Sequence, residues 1–247
     1  MVDALAQKRR AIYSPLATGR RKTDIPAWWL AGNAENCLGA WRSVNTPGSP
    51  WGPGPASYAG SLVDLHAGAN NLYGGVAPSS WDSTNGWFWD SNTQYLFTGI
   101  VPSAEGTLIV RFSGCDSDHI VFVAGILSFS PFHGVFVAPR NFSSDRRGYT
   151  NGAYSGSPSL APRVTSGIMG VSGRQGYLNG LPDGDPIPAW LGAPDRILGI
   201  GKLVLWNGTA YGTQGNGRTH YSQAAAYYAT PQSPATMLAL AQAMAAL

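Results

Sequence analysis

The sequence predicts an all-β fold in which two antiparallel sheets of short strands pack face to face. Three observations predict it. Gly (32) and Pro (18) punctuate all 247 residues, as turn chemistry does between short strands. Aromatic residues make up 11% of the chain, nine of them Trp, and large rings suit pleated, half-buried surfaces. The apolar runs are short, β-branched and bounded by turn residues, the pattern of strands rather than helices. Charged residues are only 12%, against the usual quarter. The polar surface therefore rests on Ser, Thr, Asn and backbone, while the content of large apolar groups argues against disorder. A chain of this size buries a substantial core as one domain.

In chain order, residues 1–33 read as an extended arm. Asp3 to Arg10 form a short helix capped by Asp3. A basic, irregular stretch reaches Pro26, and Trp28, Trp29 and Leu30 then pack on the body. Residues 44–56 are a Pro/Gly/Ser loop, and 61–66 a strand before the turn at Gly68 to Asn71. Trp87 to Asp90 and Gln94 to Gly99 are strands joined by Ser91-Asn92-Thr93. The clearest strand is Thr107 to Ser113, set between Gly106 and Gly114; a turn at Cys115 to Asp118 leads into His119 to Phe129. Further strands follow at Gly134 to Ala138, Arg163 to Val171, Gly176 to Asn179, Ile197 to Trp206 and Gln223 to Thr230. Asn179-Gly180 and Asn207-Gly208 are hairpin turns, because both residue types tolerate positive φ. Residues 140–160 read as a long polar loop. One helix closes the chain: Ser233 caps it, Pro234 suits its first position, and Met237, Leu240 or Ala241, and Met244 form one apolar stripe. About ten short strands make a two-sheet jelly-roll sandwich over residues 34–247 the natural architecture.

The net charge of +3 is unevenly spread. Lys8, Arg9, Arg10, Arg20, Arg21 and Lys22 fall in the first 22 residues against one acid, Asp3, which leaves +5 there and −2 on the remainder. A basic arm on a nearly neutral body suggests docking to an acidic partner. Six positive charges suit phosphates, but no base-reading motif accompanies them, so nucleic acid is a distant alternative. No signal peptide or membrane span is expected. Cys37 and Cys115 are the only cysteines and define no disulfide framework.

Several segments resemble the laminin-G-like, concanavalin A-type jelly roll common in phage and prophage proteins. They are Ser61 to His66, Ala77-Pro-Ser-Ser-Trp81, Asn85-Gly-Trp-Phe88, Gln94 to Ile100, Thr107 to Ser113, Gly176-Tyr-Leu-Asn-Gly180, and Ala224 to Ala229 with the closing helix. The order and spacing match, and the pieces cover most of the body. The resemblance implies the fold and a phage association. It does not fix an activity, since such sandwiches serve lectins, glycosidases and passive structural units.

Catalytic constellations are not visible. Glucanases of this fold carry Glu-x-Asp-x-x-Glu on one strand, which places an acid and a nucleophile on one face; here Glu35 and Glu105 are the only glutamates and stand alone. His66, His119, His133 and His220 are scattered and read as surface or turn residues, and no nucleophile elbow occurs. Asp116 with Asp118, and Asp183 with Asp185, are weak candidates for calcium, the one cofactor considered; turn-stabilising Asp side chains explain them as well. Sugar binding asks for exposed aromatic faces with polar neighbours. The loop aromatics Trp51, Tyr149, Tyr154, Trp190 and Tyr211 are the candidates, near Asn151 and Asn216, whereas Trp81, Trp87 and Trp206 read as core.

The expectation is a non-enzymatic phage virion component, a head decoration, head fibre or tail-associated subunit. The arm would hold it to other virion proteins, the body would touch host-surface glycans, and a homo-oligomer, a trimer, is expected. The alternatives are a lectin-like carbohydrate-binding module and, behind it, a glycoside hydrolase.

Overall fold

In a computed structural model, residues 27–66, 68–91, 93–115, 121–129, 132–141, 146–153, 162–189, 195–206, 210–214 and 219–247 are described. The expected arm helix, the cations of residues 8–22, and Tyr154, Trp190, Asp116, Asp118, His119, Asn207 and Asn216 lie outside them.

Sixteen strands are present among the described residues. They are β1 (Cys37–Arg42), β2 (Tyr73–Val76), β3 (Ser80–Asp82), β4 (Gly86–Trp89), β5 (Tyr95–Phe97), β6 (Thr107–Ser113), β7 (Ala124–Phe129) and β8 (Phe132–Asn141). Then come β9 (Arg146–Ala153), β10 (Gly167–Ser172), β11 (Gln175–Leu178), β12 (Leu181–Pro182), β13 (Gly199–Ile200), β14 (Leu203–Trp206), β15 (Tyr211–Gln214) and β16 (His220–Tyr228). They form two sheets, as expected for a jelly-roll sandwich.

The first sheet runs β12-β11-β10-β6-β16. The far edge of β16 is shared: its start pairs with β4, which carries β3, and its end pairs with β1. The second sheet is centred on β7, with β8 and β9 on one side and β13, β5, β2, β14 and β15 on the other. All these pairings are antiparallel except that of β14 with β7, which is parallel. β4 and β5, adjacent in sequence, belong to different sheets.

Alternation along β6 explains the layering. Leu108, Val110 and Phe112 enter the core between the sheets, while Ile109 joins a second cluster on the outer face. β16 repeats this with Ala225 and Tyr227 inward and Ala224, Ala226 and Tyr228 outward. The small Ala side chains let the C-terminal helix (Pro234–Ala245) lie close on this outer face through Met237, Leu240, Ala241 and Met244. Ser233 caps the helix by accepting from Thr236 N at 3.2 Å. Trp28, in a single turn of 3₁₀ helix (Trp28–Ala31), packs into the same outer cluster. Core indoles satisfy their N–H groups: Trp87 donates to Ser61 Oγ at 2.8 Å, Trp89 to Ser222 Oγ at 3.0 Å and Trp41 to the Asn70 carbonyl at 2.9 Å. The first sheet ends at the two-residue β12, where Leu181 is 60% exposed and Pro182 follows.

Four expectations are corrected. Residues 61–66 are not a strand: Ser57 accepts from Gly60 N and caps a short helix (Tyr58–Ser61), and Asp64 then organises a turn by accepting from Ala40 N and His66 N, both at 3.0 Å. Residues 140–160 are not wholly loop, because β9 runs through Arg146–Ala153; buried Asn151 is satisfied there by the Gly106 and Gly173 carbonyls, both at 2.8 Å. His133 and His220 are buried, not surface residues. Trp81 and Trp206 are half-buried rather than core. Cys37 and Cys115 are buried thiols in separate clusters, and burial pushes Cys37 up to about 12.

His220 stacks on Trp89 with ring centroids 6.3 Å apart, and neither ring nitrogen has a hydrogen-bond partner among the described residues. Burial, with help from nearby Lys202, drives its pKa well below 6.5. The unfolded chain therefore binds a proton that the folded one refuses, and stability falls as pH drops through the unfolded value, by at most about 1.4 kcal/mol per pH unit. The substitution His220→Phe is expected to flatten this dependence, as read from urea unfolding midpoints between roughly pH 5 and pH 7; an unchanged slope contradicts it.

Candidate functional site

Trp28, Trp29, Trp51, Pro53, Pro55, Leu65 and Arg42 line a cavity of about 350 Å³ beside the covered outer face of the first sheet. This volume lies within the range of small-ligand clefts, about 300–1,000 Å³. The Pro/Gly-rich loop after β1 forms one wall because the sheet and the helix both grip it. Trp51 Nε1 donates to the Ala243 carbonyl at 2.9 Å, and Ser49 Oγ donates to the Ala246 carbonyl at 2.9 Å. Gly54 N donates to Asn45 Oδ1 at 2.8 Å. Trp28 and Trp29 meet edge to face at 6.2 Å between centroids, so their rings offer differently oriented surfaces.

Arg42, at the end of β1, is only 4% exposed. Its Nε donates to the Val44 carbonyl at 2.8 Å and its Nη1 to the Gly52 carbonyl at 3.0 Å, while Nη2 has no partner among the described residues. Across β16, Arg111 occupies the matching position, since Arg42 and Arg111 both register with Ala224. Arg111 Nη1 donates to the Met244 carbonyl at 2.9 Å. Burial lowers the pKa of both guanidiniums, and proximity to Arg111 lowers that of Arg42 further. No carboxylate faces either residue among the described residues.

Of the aromatic residues expected to meet sugars, Trp51 lies in this cavity. Tyr149 does not: it is buried, and its hydroxyl donates to Asp183. Its place on β9, inside the sandwich, is the reason the loop assignment misplaced it. Burial and the Asp183 charge raise its pKa. Tyr211 is half-buried in a separate ring cluster, 5.1 Å from Phe97 and 4.9 Å from Trp206, over which Arg196 sits at 4.3 Å. The cavity residues Trp28, Trp29 and Arg42 were not anticipated. The signal available in the sequence was Ala40-Trp-Arg42, a cation inside an apolar run with no acid nearby.

Asp183, a weak calcium candidate in the sequence, sits in an ion pair. Its two oxygens accept from Arg147 Nε at 2.8 Å and Nη2 at 2.9 Å, and the Tyr149 hydroxyl donates as well. This pairing holds Asp183 below the usual carboxylate range despite burial, which acts the other way. Asp185 is exposed, and no cluster of three metal-binding side chains occurs among the described residues. Buried Asp64 is occupied by the backbone N–H groups of Ala40, His66 and Asn70. Among the described residues, neither a carboxylate nor an imidazole lines the cavity.

No protein-family model and no curated protein sequence matches the chain. Among solved structures, it is similar to Trypanosoma rangeli sialidase in complex with sialic acid, at 15% identity and a TM-score of 0.53, over 84% of this chain and 33% of that one. A mutant of the same sialidase displaying trans-sialidase activity gives 15% identity and 0.51, over 85% and 34%. The receptor-binding domain of botulinum neurotoxin D gives 10% and 0.49, over 85% and 53%. The chain thus spans about a third of the sialidase chains it resembles, and at these identities the likeness is one of fold, the β-sandwich.

Gly54 sets the cavity wall. A Cβ there would sit 2.0 Å from the Val44 carbonyl oxygen, the acceptor of Arg42 Nε, and 2.6 Å from Asn45 Cα. Gly54→Ala is expected to cost about 1–3 kcal/mol in denaturant unfolding, whereas Gly212→Ala, with nothing within 4 Å, leaves the midpoint near its starting value.

Proposed function

We propose that this chain is a carbohydrate-binding β-sandwich module that holds a glycan without cleaving it. The observation that carries the reading is the cavity wall: three indoles and two prolines, with one guanidinium as the sole charged side chain among the described residues. Aromatic and proline faces pack against the C–H faces of sugar rings, and a few polar groups fix orientation. A wall without a proton donor or acceptor of catalytic type supports binding over hydrolysis. A glycan array probed with the unmodified protein is expected to give hits, and Trp29→Ala, which removes a half-buried ring from the wall, to weaken the best of them about tenfold, roughly 1.4 kcal/mol. An array blank at millimolar sugar overturns the reading, and release of reducing ends from a bound glycan overturns its non-catalytic part.

The finer proposal is that the module belongs to a phage particle, attached to other virion proteins through the basic arm, as a homo-oligomer. Its support is the sequence resemblance together with the +5 charge of the first 22 residues. Because Trp28 is packed in the body, truncation of residues 1–26 is the clean test. The shortened protein is expected to stay folded by circular dichroism and to be lost from purified particles; normal incorporation contradicts anchoring by the arm.

A further inference from the structure

We infer that the tryptophan cavity takes an acidic saccharide, a sugar bearing a carboxylate, with Arg42 as its counter-charge. This rests on the carbohydrate-binding reading and names the class of sugar within it. Two residues of the cavity wall carry a buried donor with no acceptor among the described residues: Arg42 Nη2 and Trp28 Nε1, on residues 4% and 1% exposed. A buried donor left without an acceptor costs about 1–3 kcal/mol, more when charged, so a pair of them beside one cavity marks the place where an acceptor belongs. Both need acceptors, and no acceptor side chain among the described residues reaches them. The charge points the same way. Arg42 and Arg111 flank Ala224 across three adjacent strands, both partly stripped of water, and among the described residues their hydrogen-bond partners are the backbone carbonyls of Val44, Gly52 and Met244. Carbonyl dipoles orient a guanidinium but leave its full charge in place, whereas a carboxylate supplies two acceptor oxygens and the opposite charge together.

A neutral glycan would satisfy the ring-stacking surfaces of Trp29 and Trp51 and leave the charge uncompensated. A free small anion would do the reverse. An acidic sugar does both.

The test is calorimetric titration of the full chain with trigalacturonate, neutral galactotriose and sodium acetate. Trigalacturonate is expected to bind at least about tenfold tighter than galactotriose, with an affinity that falls as salt rises, and acetate to bind far more weakly than either. Arg42→Met is expected to reduce trigalacturonate to the level of galactotriose, and Arg42→Lys to keep part of the preference. If Arg42→Met unfolds, the salt dependence on the unmodified protein and the Arg42→Lys titration still decide. Equal, salt-independent affinity for the acidic and neutral trimers refutes the acidic assignment and leaves the carbohydrate reading standing. Acetate binding as tight as trigalacturonate reduces the site to an anion hole and refutes the sugar part. Binding of neither trimer, with galactose and all other array glycans also silent, removes the carbohydrate reading and this inference with it.

Discussion

The structure depends on β16 being apolar on both faces. A sandwich strand ordinarily alternates between core and water, yet here Ala225 and Tyr227 meet the core while Ala224, Ala226 and Tyr228 meet the C-terminal helix and the Trp28 turn. The outer face of the first sheet is therefore a second interior. Burying it brings Arg42 and Arg111 out of water, because they share a register row with Ala224. The cavity exists because this cover is incomplete: the helix and the Pro/Gly loop meet at Trp51 without closing over Trp29. One packing requirement thus produces the hydrophobic layer, the desolvated cations and the opening beside them.

Much of the scaffold was legible in the sequence, and the parts that were not share a cause. Thr107–Ser113 is read to the residue because glycines bound it and apolar side chains fill it, and the C-terminal helix because Ser233 and Pro234 announce it. β9 was missed because its buried positions are polar: Asn151 and Arg147 are satisfied by groups distant in sequence, which hydropathy cannot register. The short helix at Tyr58–Ser61 was missed because Leu62, Val63 and Leu65 mimic strand alternation, although Val63 and Leu65 end up exposed. For the site, Trp51 was recoverable from its Pro/Gly surroundings. Arg42 left only the fainter signal of a cation in an apolar run, since an arginine at a strand end reads as solvated until the loop that grips it is placed in three dimensions.

Fold and site carry separate weight. The sandwich is shared with part of a sialidase chain at 15% identity, and such a scaffold is compatible with many chemistries. What distinguishes this chain is local: acids held by structural partners, as in Asp183 with Arg147 and Tyr149 or Asp64 with backbone N–H groups, against Arg42 and Arg111, which have no acid partner among the described residues. Asp183 and Asp64 are committed to architecture, whereas Arg42 and Arg111 meet backbone carbonyls alone among the described residues.

The edge of the first sheet carries a last consequence. β12 contributes two residues, one of them Pro182, which has no N–H to offer a neighbouring strand. Leu181, largely uncovered beside it, would otherwise be an invitation to stack strand on strand. The proline caps the sheet against runaway polymerisation on that flank, so copies crowded side by side would have to associate through side-chain surfaces or the opposite flank, not by continuing this ladder.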